Sequence, residues 1–239
     1  MSKLDILAFG AHPDDVEIGA GGTVISSIEK GLKVGVVDLT QGELGSRGSG
    51  ELRLIEALNS AKLMGLTTRE NLGMRDGFFE LDEEHLLKIV EKIRKYQPTI
   101  VLCNAPSDRH PDHGRASALV ERACFLSGLA RIETTHGGEK QAHWRPKAVY
   151  KYIQDFYLKP DFVLDVSNYW DKKIAALQCF SSQFFSADSK EPKTPISGAE
   201  YFDFLKGRAM EMGRPSGFLL GEGFIATRPP GVDDLTKLL

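Results

Sequence analysis

The chain has 239 residues, a formal net charge of −3 at pH 7 and three cysteines. A chain of this length buries roughly 70–75% of its unfolded surface and needs no staples to hold a core. The scattered, odd-numbered Cys103, Cys124 and Cys179 argue against a disulfide framework and for reduced, packed thiols in a cytoplasmic protein. The charge balance provides no global field for nucleic acid. Lys3 and Asp5 interrupt the place of a signal peptide, and no apolar run approaches membrane-spanning length.

The first half alternates between strand-like and helix-like periods. Residues 4–10 read as a strand, followed by a helix over about 16–30 with Ile18, Val24, Ile25 and Ile28 as its apolar stripe. Residues 33–39 read as a second strand, apolar enough through Val34, Val36, Val37 and Leu39 to be buried on both faces. A Gly-rich loop, 40–50, precedes a helix beginning near Glu51, with Leu54, Ala57, Leu58 and Ala61 on one face. A further helix spans 81–96, and residues 99–103 read as the next strand. In the second half, 148–153 and 162–166 read as strands, helices cover about 169–180 and 198–212, and 133–145 and 186–197 read as loops. This alternation predicts an α/β, Rossmann-like, doubly wound and mostly parallel sheet with helices on both faces. Without repeats or linkers, residues 1–239 are expected to form a single domain.

Two runs carry the chemistry. Ala11-His12-Pro13-Asp14-Asp15 follows the first strand, and Arg109-His110-Pro111-Asp112-His113 follows the strand at 99–103. Ligands of open α/β sheets bind beyond the carboxyl ends of strands, so both runs are expected at one site. His12 and Asp15 can converge on one ion across a strand-to-helix turn, and His113 closes a three-ligand set that leaves a position for water. A zinc so held lowers the pKa of its water to about 7. Asp14, beside a ligand, suits the role of general base. His110 can stabilise a developing oxyanion as an imidazolium, with Asp112 favouring its protonated form. Spacing leaves open whether Asp112 orients His110 or His113. Alone, a His-x-x-Asp at a helix start is an ordinary cap beside a surface histidine; the pair of motifs at two strand ends sets this chain apart. His85 and His143 are expected to face solvent, and His136 to sit in a loop. The run Gly19-Ala20-Gly21-Gly22 lacks the dinucleotide fingerprint and is expected to serve close helix packing.

These motifs resemble the LmbE-like, or PIG-L, family of zinc-dependent N-acetylglucosaminide deacetylases. The resemblance is closest to its N-acetyl-α-D-glucosaminyl L-malate deacetylase branch, of bacillithiol biosynthesis. It extends through Asp5–Gly10, Val16–Gly19, Leu52-Arg53 with Glu56-Ala57, Asp108-Arg109, Pro160–Val163, Ser182–Phe184 and Gly221–Phe224. It implies His12, Asp15 and His113 as ligands of Zn2+, with Fe2+ sharing the same set. It further implies Asp14 as base, His110 as its catalytic partner, and Arg53 and Tyr201 as substrate contacts, with Gly198–Tyr201 departing from the family pattern.

The expected substrate is a small GlcNAc conjugate with an anionic aglycone, which Arg53 and Arg109 suit. A helix-face pair of Arg53 with Glu56 is the competing reading of that arginine. No nucleic acid or membrane partner is expected, and identical chains are expected to assemble into a homo-oligomer. A non-haem iron oxygenase shares the two-His, one-carboxylate set, and a non-enzymatic nucleotide-binding module is a further alternative.

Overall fold

The computed structural model describes residues 3–185 and 189–237. In chain order the main elements are β1 (Ile6–Gly10), α1 (Asp15–Glu29), β2 (Val34–Thr40), α2 (Gly50–Met64), β3 (Thr68–Met74), α3 (Glu83–Tyr96), β4 (Ile100–Asn104) and α4 (Pro111–Leu126). They continue with β5 (Thr135–His136), β6 (Glu139–Lys140), β7 (Ala148–Tyr152), β8 (Phe162–Asp165), α5 (Trp170–Gln178), α6 (Glu200–Gly213) and β9 (Gly221–Ala226).

Seven strands form one sheet in the order β3-β2-β1-β4-β7-β9-β8. Neighbours from β3 to β7 are parallel, and β9 runs antiparallel to both β7 and β8. The chain builds outward from β1 through β2 to β3, then crosses back to add β4 on the other side of β1. This reversal opens a crevice at the carboxyl ends of β1 and β4, the place where sheets of this kind bind ligands. The doubly wound, mostly parallel sheet expected from the sequence is the observed fold.

Alternation along β1 divides the core. Leu7 and Phe9 pack with Leu86, Ile89 and Val90 of α3 and Leu119 and Val120 of α4. Ile6 and Ala8 face Val16, Ala20 and Val24 of α1 on the opposite side. Because both faces are covered, the central strands read as continuous apolar runs. A further apolar cluster joins α5 and α6 through Trp170, Leu177, Phe180 and Tyr201.

Two strands of the seven-stranded sheet escaped the sequence reading. β3 (Thr-Arg-Glu-Asn-Leu-Gly-Met) lies at the sheet edge, mostly half-buried, so its side chains need no apolar alternation. β9 opens on Gly221-Glu222-Gly223, where side chains do not fit: a Cβ on Gly221 would lie 2.5 Å from Val163 Cγ1, and one on Gly223 2.9 Å from Met212 Sδ. Within the expected loop 133–145, β5 and β6 pair as a short hairpin. Its Gly137-Gly138 turn has both φ angles positive, at 59° and 84°, a signal that was readable from the Gly-Gly pair. The expected loop 186–197 is described from residue 189 onward; residues 186–188 lie outside the described residues. Among the described residues no helix is long and apolar enough to cross a membrane.

The glycines of α1 serve close packing, as expected. A Cβ on Gly19 would sit 2.2 Å from the ring of Tyr152, whose hydroxyl donates to Phe9 O at 2.9 Å. Gly19→Ala is therefore expected to destabilise the fold by about 1–3 kcal/mol, the range for overpacking. Gly207→Ala, on α6 with open space around the added methyl, should instead stabilise by roughly 0.5–1 kcal/mol. Chemical denaturation of the two variants checks the contrast.

Candidate active site

The two motif loops are tied together at the strand ends. Ala11 N donates to Asn104 Oδ1 at 3.0 Å, linking the exit of β1 to the last residue of β4. The same amide's Nδ2 donates to Asp15 Oδ2 at 3.0 Å. Asp15, the first residue of α1, also accepts from His12 N (2.9 Å) and from Gln154 Nε2 (2.8 Å). Between them, Asp14 adopts a left-handed backbone with φ of 109°, unusual outside glycine. Such strain collects at functional sites, where surrounding contacts over-determine it.

His12 and His113 both turn one ring nitrogen toward Asp15. His12 Nε2 donates to Asp76 Oδ1 at 3.0 Å, leaving Nδ1 facing Asp15 Oδ2 at 3.6 Å. His113 Nδ1 donates to Asp108 Oδ2 at 2.6 Å, leaving Nε2 facing Asp15 Oδ1 at 3.2 Å. Ligand distances of about 2.0–2.2 Å around a tetrahedral zinc imply ligand–ligand separations of roughly 3.3–3.6 Å. Each gap taken singly suits an ion shared by that histidine and Asp15, the two histidines facing different oxygens of the carboxylate. The carboxylate behind each ring is the arrangement that fixes the tautomer of metal-binding histidines.

The electrostatics agree. Burial alone would lower the pKa of His113, but the Asp15 and Asp108 carboxylates reverse this and raise it to about 9. Burial likewise opposes charge on His12, and Asp112, Asp15 and Asp76 together raise its pKa well above the ordinary value. Burial would raise the Asp15 pKa, and the two histidines instead hold it well below the carboxylate range. The pocket is built to surround positive charge.

His110 differs. It caps α4, its Nδ1 accepting from Asp112 N at 3.3 Å, which leaves the proton of a neutral ring on Nε2. Its ring stacks on His113 at 5.3 Å and meets His12 edge-on at 4.6 Å. Burial and the charges of His12 and His113 lower its pKa, which works against the expected imidazolium. Donor atoms of His12, His110 and His113 lie within 4.8 Å of one another, as do those of His12, Asp76 and Asp112. The proton on His110 Nε2 sets that ring apart as a donor, and Asp76 and Asp112 stand behind His12 Nε2 as its acceptors. Asp112 orients neither histidine of its own motif. Its Oδ2 accepts from Gly77 N at 2.9 Å and lies 3.5 Å from His12 Nε2, and its Oδ1 accepts from Arg115 at 2.9 Å. On the first turn of α4 its side chain points toward the loop after β3, away from both rings.

A cleft of about 320 Å³ opens over these groups. Arg53, Arg109 and Tyr201 all line it. Arg53 is buried, and its Nη2 donates to Pro13 O at 2.6 Å and Asp14 Oδ2 at 3.1 Å. Its expected helix-face partner Glu56 turns away to Ser182, accepting from N and Oγ at 2.7 Å each. Arg109, at the mouth with its side chain 40% exposed, pairs with Asp155. Tyr201 is buried and stacks between Phe184 and Phe204. Asp14 itself is buried, and burial pushes its carboxyl up to about 7, with Arg53 pulling it down and Asp15 adding to the rise. His85 pairs with Asp82 on the α3 surface and His136 with Glu91, both outside the cleft.

Sequence reasoning missed Asp76, Asn104 and Gln154 as site residues and took Asp108 only as part of a resemblance. Asn104 ends an apolar strand, a position that could have marked it. The orienting carboxylates give a test. Asp76→Asn and Asp108→Asn are expected to weaken retention of a bound divalent ion by about 10–100-fold. Competition with a chelator followed by metal analysis measures it; unchanged affinity in both would remove them from the centre.

The family model for GlcNAc-PI de-N-acetylase, PIG-L, matches residues 7–124. Diacetylchitobiose deacetylase of Thermococcus kodakarensis is 29% identical, covering 91% of this chain and 81% of that protein. A 4-oxalmesaconate hydratase of Pseudomonas putida is also 29% identical, over 74% of this chain and 73% of its own length. A probable N-acetyl-alpha-D-glucosaminyl L-malate deacetylase 2 of Bacillus subtilis is 28% identical, over 76% and 84%. The crystal structure of the conserved protein TT1542 from Thermus thermophilus superposes with a TM-score of 0.86 at 31% identity, covering 97% of this chain and 98% of that one. The chain belongs to the PIG-L, or LmbE-like, family.

Proposed function

We propose that this chain is a metal-dependent amidohydrolase that removes the acetyl group from a GlcNAc conjugate, with GlcNAc-malate as its substrate. One observation carries the reading. His12 and His113, each held by a carboxylate, face Asp15 at distances that suit an ion, while the adjacent Asp14 is turned aside by its left-handed backbone. The similarity to deacetylases of GlcNAc-containing compounds supports the acyl group, and the resemblance to the malate branch supports the aglycone.

His12, Asp15 and His113 would hold a divalent ion, Zn2+ or Fe2+, which would supply Lewis acidity to the amide carbonyl and acidify water. Asp14 takes the proton of the attacking water; a carboxyl near neutrality is matched to that transfer. His110 donates from Nε2 to the carbonyl oxygen as negative charge develops there. The C–N bond then breaks, and the proton held by Asp14 passes to the departing amine, leaving acetate and the free amino sugar. Arg109 at the mouth can exchange Asp155 for a carboxylate of the aglycone, in the bidentate manner open to a guanidinium. Activated water and a positioned base also serve addition of water to a carbon–carbon double bond, the second reading favoured by the hydratase relative.

Acetate release from GlcNAc-malate, GlcNAc and diacetylchitobiose by metal-replete protein, beside hydration of 4-oxalmesaconate, decides between these readings. Release fastest from GlcNAc-malate is expected; hydration without deacetylation would overturn the proposal. Asp14→Asn should keep its metal and lose at least ~10²-fold in rate. His110→Ala should lose roughly 10²–10³-fold in kcat with modest change in KM. His113→Ala should lose metal and activity together. Arg109→Ala should raise KM for GlcNAc-malate and leave plain GlcNAc unaffected.

A further inference from the structure

Arg53 is buried at the wall of the cleft, and its hydrogen bonds go to the chain itself. Both hydrogens of Nη2 are used, one on Pro13 O at 2.6 Å and one on Asp14 Oδ2 at 3.1 Å. Nη1 donates to Gly42 O at 3.3 Å. The loop wraps the guanidinium closely: a Cβ on Gly42 would lie 1.9 Å from Nη1, and Gly42 itself has φ of +64°. The Nε of Arg53 is buried with no hydrogen-bond partner in the structure. The orientation of the group therefore follows the acceptors at its two ends, and two of those acceptors flank the φ angle of Asp14.

Asp14 is one of two non-glycine residues with positive φ among those described. Its side chain does not cap α1, and nothing in the helix start itself holds the carboxylate. A left-handed aspartate needs surrounding contacts to persist. Pro13 O lies on the residue before the strained angle, and Asp14 Oδ2 lies on the side chain beyond it. One nitrogen bonded to both closes a clamp across that angle.

We propose that Arg53 is a positioning residue for Asp14, holding its left-handed backbone and the direction of its carboxylate. The proposal rests on the reading of Asp14 as general base. It replaces malate recognition as the task of this arginine and leaves the aglycone to groups at the mouth. Three acceptors in three directions need a planar fork, so lysine can satisfy only part of the set.

A double-mutant cycle with Asp14→Asn tests it. Arg53→Ala is expected to lower kcat by about 10²-fold, by the same factor for GlcNAc-malate and GlcNAc, with KM and bound zinc near wild-type. In the Asp14→Asn background, removing Arg53 should cost less than about threefold further, because residues acting as one unit are not additive. Arg53→Lys should fold and lose less than Arg53→Ala. A crystal structure of Arg53→Lys or Arg53→Ala should show Asp14 leaving the left-handed region or its carboxylate swinging from its place. Losses that multiply in the double variant, or a loss confined to GlcNAc-malate, would overturn the clamp and return Arg53 to the substrate. Should wild-type protein release no acetate from any GlcNAc conjugate, the deacetylase reading fails, and the backbone of Asp14 in the variant structure still judges the clamp.

Discussion

The site depends on Asn104. Its side-chain amide accepts from the backbone at the exit of β1 and donates to the carboxylate of Asp15, so one residue joins the two strand ends and aims the carboxylate that both histidines face. The parallel pairing of β1 with β4 brings those ends within reach; the amide turns proximity into a fixed geometry. Everything downstream hangs on this link. Asp15 starts α1, His12 donates its backbone N–H to the same carboxylate, and His113 approaches from the first turn of α4. Without the tie, the histidines would sit on two loops free to part.

Burial decides how the charges behave. Asp15, Asp14, His12 and His113 all lie inside the protein, where an unpartnered charge is costly. Each is offset by a different device. Asp15 accepts from three N–H donors, the two histidines are backed by Asp76 and Asp108, and Asp14 meets Arg53. The result is an excess of carboxylate oxygens around two imidazoles, an environment that favours a bound cation and raises both ring pKa values in its absence. His110 is the exception because its Nδ1 is occupied by a backbone N–H, and it lies between two rings that repel its protonation.

What could be read from the sequence follows from this division. The convergence of His12, Asp14, Asp15, His110 and His113 was legible because each motif follows an apolar run, and the ends of adjacent parallel strands share one crevice. The supporting residues were not. Asp76 follows β3, an edge strand whose half-exposed side chains carry no alternation to reveal it. Asp108 stands five positions before His113 in a turn whose path spacing does not determine. Arg53 and Glu56 share a helix face, and their spacing suggested a mutual pair; an acceptor at Pro13 and donors at Ser182 separated them. Asp112 was ambiguous between two rings of its own motif and belongs to neither, since a side chain on the first helical turn points back along the axis toward another loop. β9 was hidden for the opposite reason: close contact with Val163 and Met212 demands glycine where a strand would ordinarily carry bulk.

The walls of the cleft are built separately from its floor. Leu44, Gly45 and Ser46 on one side and Gln183, Thr194 and Ile196 on the other come from loops distant in sequence. Arg47 stitches these together, its Nε donating to Ser182 O at 2.7 Å and its Nη1 to Pro192 O at 3.1 Å, while Gln183 donates back to Arg47 O at 2.9 Å. Three arginines near the site are committed to the protein itself: Arg47 to the wall, Arg53 to Asp14 and Arg115 to Asp112. Arg109 stands apart, partly exposed and paired across the mouth with Asp155. The floor, suspended from the sheet, holds the two histidines and the paired aspartates. The wall loops stand apart from Asn104 and the residues it aligns, so the geometry of the floor is set independently of them.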